Sequence, residues 1–209
     1  MGYLTIKGES KSEYIEKRSK FLGAAFPCET EGEALSILEK LRSQYWDARH
    51  NCFAFIVDSG RTSRFSDDGE PHGTAGKPIL EVINGKGLVN VLVVVTRYFG
   101  GVLLGTGGLV RAYTTATKDA LENAEIVEMV PCTVCEVCCD YQDHATLLKL
   151  TETKAEILDT QFTEKVTLTF ALKDEDIEDY KKALTETFSA RLDLTEKEKR
   201  VIGFNLQSN

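Results

Sequence analysis

The run from Val89 to Val95 is apolar at every position except Asn90. A strand without polar alternation has to be covered on both faces, so the chain must supply a layer above it and a layer below. Leu109 to Ala124, rich in helix formers with apolar spacing, predicts a helix after it, and Gly100 to Gly108 reads as the loop between them. Upstream, Ala34, Leu35, Leu38 and Leu41 stand at helical spacing within Glu33 to Tyr45, and Cys52 to Val57 reads as a second buried strand.

Eleven of the sixteen glycines lie between Gly60 and Gly108, and the last third of the chain holds only Gly203. Charge divides along the same line. Met1 to Glu128 carries 15 Lys+Arg against 17 Asp+Glu, and Met129 to Asn209 carries 10 against 16. Two domains, 1–130 and 131–209, account for both shifts, and nothing around Pro131 has the Gly/Ser or Pro content of a long connection. In the second part Thr133 to Cys139 reads as a strand and Ala145 to Leu150 as part of a helix. Ala155 to Leu158 with Val166 to Leu172 reads as a hairpin, Asp174 to Phe188 as an acid-capped helix, and Arg191 onward as extended. That βαββαβ order is the ferredoxin-like arrangement, with helices on one face of an antiparallel sheet, and places the whole chain in the α+β class.

No apolar run approaches the roughly 18 residues of a membrane-spanning helix, and Met1 to Ser10 has no signal-peptide pattern, so the expected compartment is the cytoplasm. The six cysteines are then expected as free thiols. Cys132, Cys135, Cys138 and Cys139 invite a zinc reading, but residues three apart in a strand face opposite sides, so they read as small thiols packed in a sheet. A net charge of −8 argues against a protein that coats nucleic acid at large and leaves room for a local basic patch.

Two clusters carry the chemistry. Arg64 to Pro78 gathers Asp67, Asp68, Glu70, His72, Arg64 and Lys77 in a turn-rich stretch. Its carboxylates suit turns and helix caps, or oxygen ligation of a hard cation, and His72 suits proton transfer. Thr96 to Tyr113 carries Arg97, Tyr98, Phe99, Gly100, Gly101, Gly105, Gly107, Gly108 and Arg111. A glycine loop entering a helix exposes amides that attract phosphate, with arginines to fork onto it, although neither Walker nor dinucleotide spacing is met. His50 reads as a packed or hydrogen-bonded histidine, and His144 as a surface or capping residue.

The stretches RFSDDGEPHGTAGKPIL (Arg64 to Leu80) and VVVTRYFGGVLLGTGGLVRAY (Val93 to Tyr113) resemble the YigZ/Impact family, and the likeness runs across both parts of the chain. The resemblance implies an N-terminal domain similar to domain 2 of ribosomal protein S-five and to domain IV of elongation factor G. The C-terminal domain would be similar to domain V of that factor. It also implies translation, since eukaryotic Impact proteins act on its control, although their additional partner-binding region is not visible in these residues, so that partner is not carried over. The expected function is therefore RNA or ribosome binding in translation or its regulation. Arg64, Lys77, Arg97 and Arg111 would meet phosphates, Tyr98 and Phe99 would stack on bases, and the glycines would let the backbone approach. The alternative is an enzyme acting on a phosphorylated small molecule or nucleotide, with Asp67 or Asp68 holding a divalent ion and His72 moving a proton. A third reading is a protein partner on the acidic C-terminal domain. No cofactor, resident metal site or membrane partner is expected, and the sequence leaves the oligomeric state open.

Overall fold

A computed structural model describes residues 2–205. The chain forms two compact units, Tyr3–Val127 and Glu128–Phe204.

The first unit begins with β1 (Tyr3–Ile6), β2 (Ser10–Glu16) and β3 (Ser19–Pro27), followed by α1 (Glu31–Gln44), β4 (His50–Val57) and β5 (Thr62–Ser66). Then come α2 (Gly76–Gly85), β6 (Val91–Tyr98) and α3 (Gly105–Glu122). The sheet runs β2-β3-β6-β4-β5 with every neighbouring pair antiparallel. The apolar run expected as a strand is therefore central, and it is covered on both faces. Val91, Val93 and Val95 pack with Ile79 and Ile83 of α2 and Ala112, Tyr113 and Ala116 of α3. Leu92 and Val94 turn to the opposite face with Leu38 and Leu41 of α1. Alternate residues of one strand thus enter two different cores.

α1 starts where Thr30 caps it: the Thr30 hydroxyl accepts from the Glu33 amide, and the Glu33 carboxylate accepts from the Glu29 amide. Ser10 and Ser12 of β2 donate to the Ala120 and Ala116 carbonyls, tying the outer strand to α3.

Three features differ from the sequence expectation. α3 begins at Gly105 rather than Leu109, so Gly107 and Gly108 lie inside its first turn and only Phe99 to Leu104 form the loop. The end of the carboxylate cluster, expected as loop, is the start of α2, with Pro78 in the first helical turn where no amide is needed. The strands before residue 28 carried no expectation; the β2–β3 hairpin turns through Lys17 and Arg18 at φ 45° and 66°, without the Asn-Gly or Gly signal that marks such turns.

The second unit contains most of β7 (Ile126–Cys139), then α4 (Tyr141–Glu152), β8 (Glu156–Phe162), β9 (Val166–Lys173), α5 (Ile177–Phe188) and β10 (Thr195–Asn205). Strand order β10-β7-β9-β8 gives the expected βαββαβ sheet. Cys135, Val137 and Cys139 point with Leu168 and Phe170 into a core closed by Leu147, Tyr180 and Leu184. No helix among the described residues is long and apolar enough to cross a membrane.

Candidate nucleic-acid interface

The carboxylate cluster spends its oxygens inside the unit. Asp67 Oδ1 accepts from the amides of Ala75 and Gly76 at 3.1 and 2.8 Å, and its Oδ2 accepts from Gly73 at 2.8 Å. It therefore caps α2 from nine residues upstream, placing negative charge at the helix's positive end. Asp68, at φ 42°, accepts from Arg42 Nη2 at 2.9 Å and from the Asn51 amide at 2.7 Å. Its carbonyl accepts from His50 Nδ1 at 2.8 Å. Glu70 is buried and accepts at Oε1 from Arg97 Nη1 at 2.6 Å and from the Tyr113 hydroxyl at 2.9 Å, with His50 Nε2 4.0 Å away. Cys52 donates to the same Tyr113 oxygen. Burial raises the Cys52 thiol and the Tyr113 phenol, so both stay protonated and neither supplies a nucleophile. His72 is fully exposed, 3.8 Å from Asp67.

Arg97 sits between the rings of Phe21 and Phe99, 5.4 and 5.6 Å from their centroids, and is 6% exposed. It fastens β6 to the Glu70 loop and presents no guanidinium to solvent for a phosphate. Its Nε is buried with no hydrogen-bond partner among the described residues. Tyr98 alternates to the α1 face, where its hydroxyl donates to Asp47 at 2.9 Å. Arg64 pairs with Glu31 at 3.0 Å from β5, and Lys77 lies 3.9 Å from Glu81 along α2. These four residues are not brought together.

The glycine segment does form a cluster, with partners the sequence reading passed over. Gly100 donates to Ser19 Oγ at 3.1 Å and lies flush against the Arg18 backbone, leaving no room for a Cβ. The Lys17–Arg18 turn therefore abuts the loop. Arg111, the seventh residue of α3, folds back over Gly107, its Nη1 3.9 Å from where a Cβ would stand there. Lys17, Leu104, Gly108 and Arg111 line one cavity of about 290 Å³ together with Glu16, whose carboxylate accepts from the Tyr14 hydroxyl at 3.0 Å. α3 enters this cluster with no side-chain cap and no acidic residue in its first turn, so its amides and dipole favour an anion. Lys17, Arg18 and Arg111 are exposed and form no ion pair among the described residues, and Phe99, at the start of the loop, is 43% exposed. Of the expected contacts, Phe99, Gly100, Gly101, Gly105, Gly107, Gly108 and Arg111 fall here. Lys17 and Arg18 were missed because their relevance comes from strand pairing across some eighty positions, which no local pattern encodes.

A double-faced antiparallel sheet carrying a glycine-entered helix, joined to a ferredoxin-like sheet, defines a two-domain α+β protein. The Impact N-terminal domain model matches residues 17–121, and the model described as Domain of unknown function (DUF1949) matches 137–191. IMPACT family member YvyE of Bacillus subtilis is 31% identical over 198 residues, covering 94% of this chain and 91% of the relative. An IMPACT family member of Haemophilus influenzae is 38% identical over 196 residues, covering 91% and 94%. A crystal structure described as that of a hypothetical protein superposes with a TM-score of 0.60 at 31% identity, covering 94% and 98% of the two chains. The chain belongs to the IMPACT family.

Proposed function

We propose that this protein binds RNA, in the setting of translation or its regulation, through the N-terminus of α3. One observation carries the reading: in a chain of net charge −8, Lys17 and Arg111 line one cavity at an uncapped helix start without ion-pair partners among the described residues, Arg18 follows Lys17 in the turn that abuts the loop, and the loop begins with the exposed Phe99. One carboxylate, Glu16, lines the cavity with them and accepts from Tyr14, so the cations around it are in excess, and an extended polyanion answers that excess while a ring stacks on a base. Family membership supports the translational setting.

The test is co-sedimentation with ribosomes and binding to total RNA across a salt series, comparing wild type with Lys17→Glu/Arg111→Glu. Binding should weaken with salt, and the variant should bind less and with a shallower slope, by about 0.7 to 0.9 for each phosphate it no longer neutralises. Unchanged binding by the folded variant overturns the assignment. Arg97→Glu is unsuitable as a control, because it sets a second carboxylate against buried Glu70.

A further inference from the structure

The loop between β6 and α3 carries an apolar tip that the phosphate contacts leave unexplained. Leu103 is 83% exposed and Val102 41%. The tip is held at both ends. Gly100 is fastened to Ser19, and Leu104 packs against the core, so Val102 and Leu103 between them project. Gly101 and Gly105, at φ 83° and 71°, make the bends that L side chains resist. Val110, 37% exposed, extends the apolar surface along α3. Two projecting aliphatic side chains give nothing to a phosphate, and leaving them in water forgoes the stabilisation of burial.

Their neighbours say what buries them. Lys17 and Arg111 line a cavity with Leu104, the residue after the tip, and the Arg18 backbone lies against Gly100 before it, so the partner is anionic where the cations touch and apolar where the tip points. A base-paired RNA step has that construction: phosphates outside, stacked bases within, and a shallow minor groove that admits a short side chain. Aliphatic wedges between base steps are an established way to hold a kinked duplex. Resting on the RNA reading, we infer that Val102 and Leu103 form a wedge that enters a weakened step of structured RNA. The protein therefore prefers duplexes already interrupted by a mismatch or bulge, where less stacking has to be broken.

The inference is tested by titrating wild type, Leu103→Ser and Val102→Ser/Leu103→Ser with a perfect RNA duplex and one of equal length and charge carrying a single mismatch. Wild type should bind the mismatched duplex about tenfold tighter, the order expected for burying one leucine side chain. Both variants, altered only at exposed positions, should keep the salt slope and lose the preference. Equal affinity of wild type for the two duplexes, or a preference that survives in the variants, overturns the wedge while leaving phosphate binding standing. Absence of salt-sensitive binding to either duplex instead removes the RNA reading itself. Tip-dependent binding to phosphatidylserine vesicles, with no response to the mismatch, assigns the tip to lipid and also overturns the wedge.

Discussion

Burying Arg97 takes a guanidinium out of water, and the chain offsets this with one 2.6 Å ion pair to Glu70 and two aromatic faces. Such a pair adds little net stability when intact, but removing one partner strands the other charge, at about 3 to 5 kcal/mol. Arg97→Ala should therefore lower the melting temperature by roughly 10 °C, and Arg97→Met/Glu70→Gln should recover much of the loss. A double variant no better than the single would show that Glu70 is not the stranded charge. The thiols carry a second prediction. Cys138 is exposed and the other five cysteines are buried, so a thiol reagent should label Cys138 in the native protein well before the rest. Burial pushes Cys135 up to about 11 from 9.0. A group raised on folding stabilises fully below its unfolded value and loses that contribution as pH climbs to its folded one. Between pH 9 and 11 wild type should lose urea resistance faster than Cys135→Val. Parallel curves for the two proteins would contradict this. At this scale the sequence was legible for type and not for place: the Arg64 to Pro78 cluster was visible, but Glu70 facing Arg97 depends on strand packing.

The β2–β3 hairpin and α2 show what local pattern conveys about elements. β6 and the helices α1 and α3 were legible because burial writes periodicity into their sequences. α2 was not, because its cap is Asp67, nine residues before Gly76, and a window that looks for a cap beside the first turn finds only Ala75. Removing that carboxylate tests the cap. Asp67→Ala should cost about 1 to 2 kcal/mol and show first as faster amide exchange in α2, with exchange in α1 unchanged. Uniform loss of protection would mean Asp67 holds more than its helix. The hairpin turn makes the opposite prediction. Lys17 and Arg18 both sit at positive φ, where L side chains are disfavoured and Asn-Gly is favoured. Lys17→Asn/Arg18→Gly should raise the melting temperature by several degrees and, by removing two cations, weaken RNA binding. Gaining stability while losing binding is the outcome that places the two side chains in function; binding unchanged in the stabler protein would leave them as turn residues only.

At the scale of the whole chain, the two units have separate cores and unequal charge. Tyr3–Val127 carries 15 Lys+Arg against 16 Asp+Glu, and Glu128–Phe204 carries 10 against 17. The glycine and charge shifts made two domains legible, but β7 crosses from one unit to the other without a break, because a strand needs no linker to change the core it serves. Continuity of backbone does not make the cores one. Leu168 is fully buried among Cys135, Phe170 and Tyr180 in the second unit. Leu168→Ala leaves a cavity there and should cost about 2 to 5 kcal/mol. That loss should appear as faster hydrogen exchange in β9, α4 and α5, with β4 and β6 keeping wild-type protection. Because the proposed RNA contacts all lie in the first unit, the same variant should keep the wild-type salt slope at temperatures where the second unit is still folded. Equal loss of protection in β6 would mean that β7 couples the two cores into one cooperative structure.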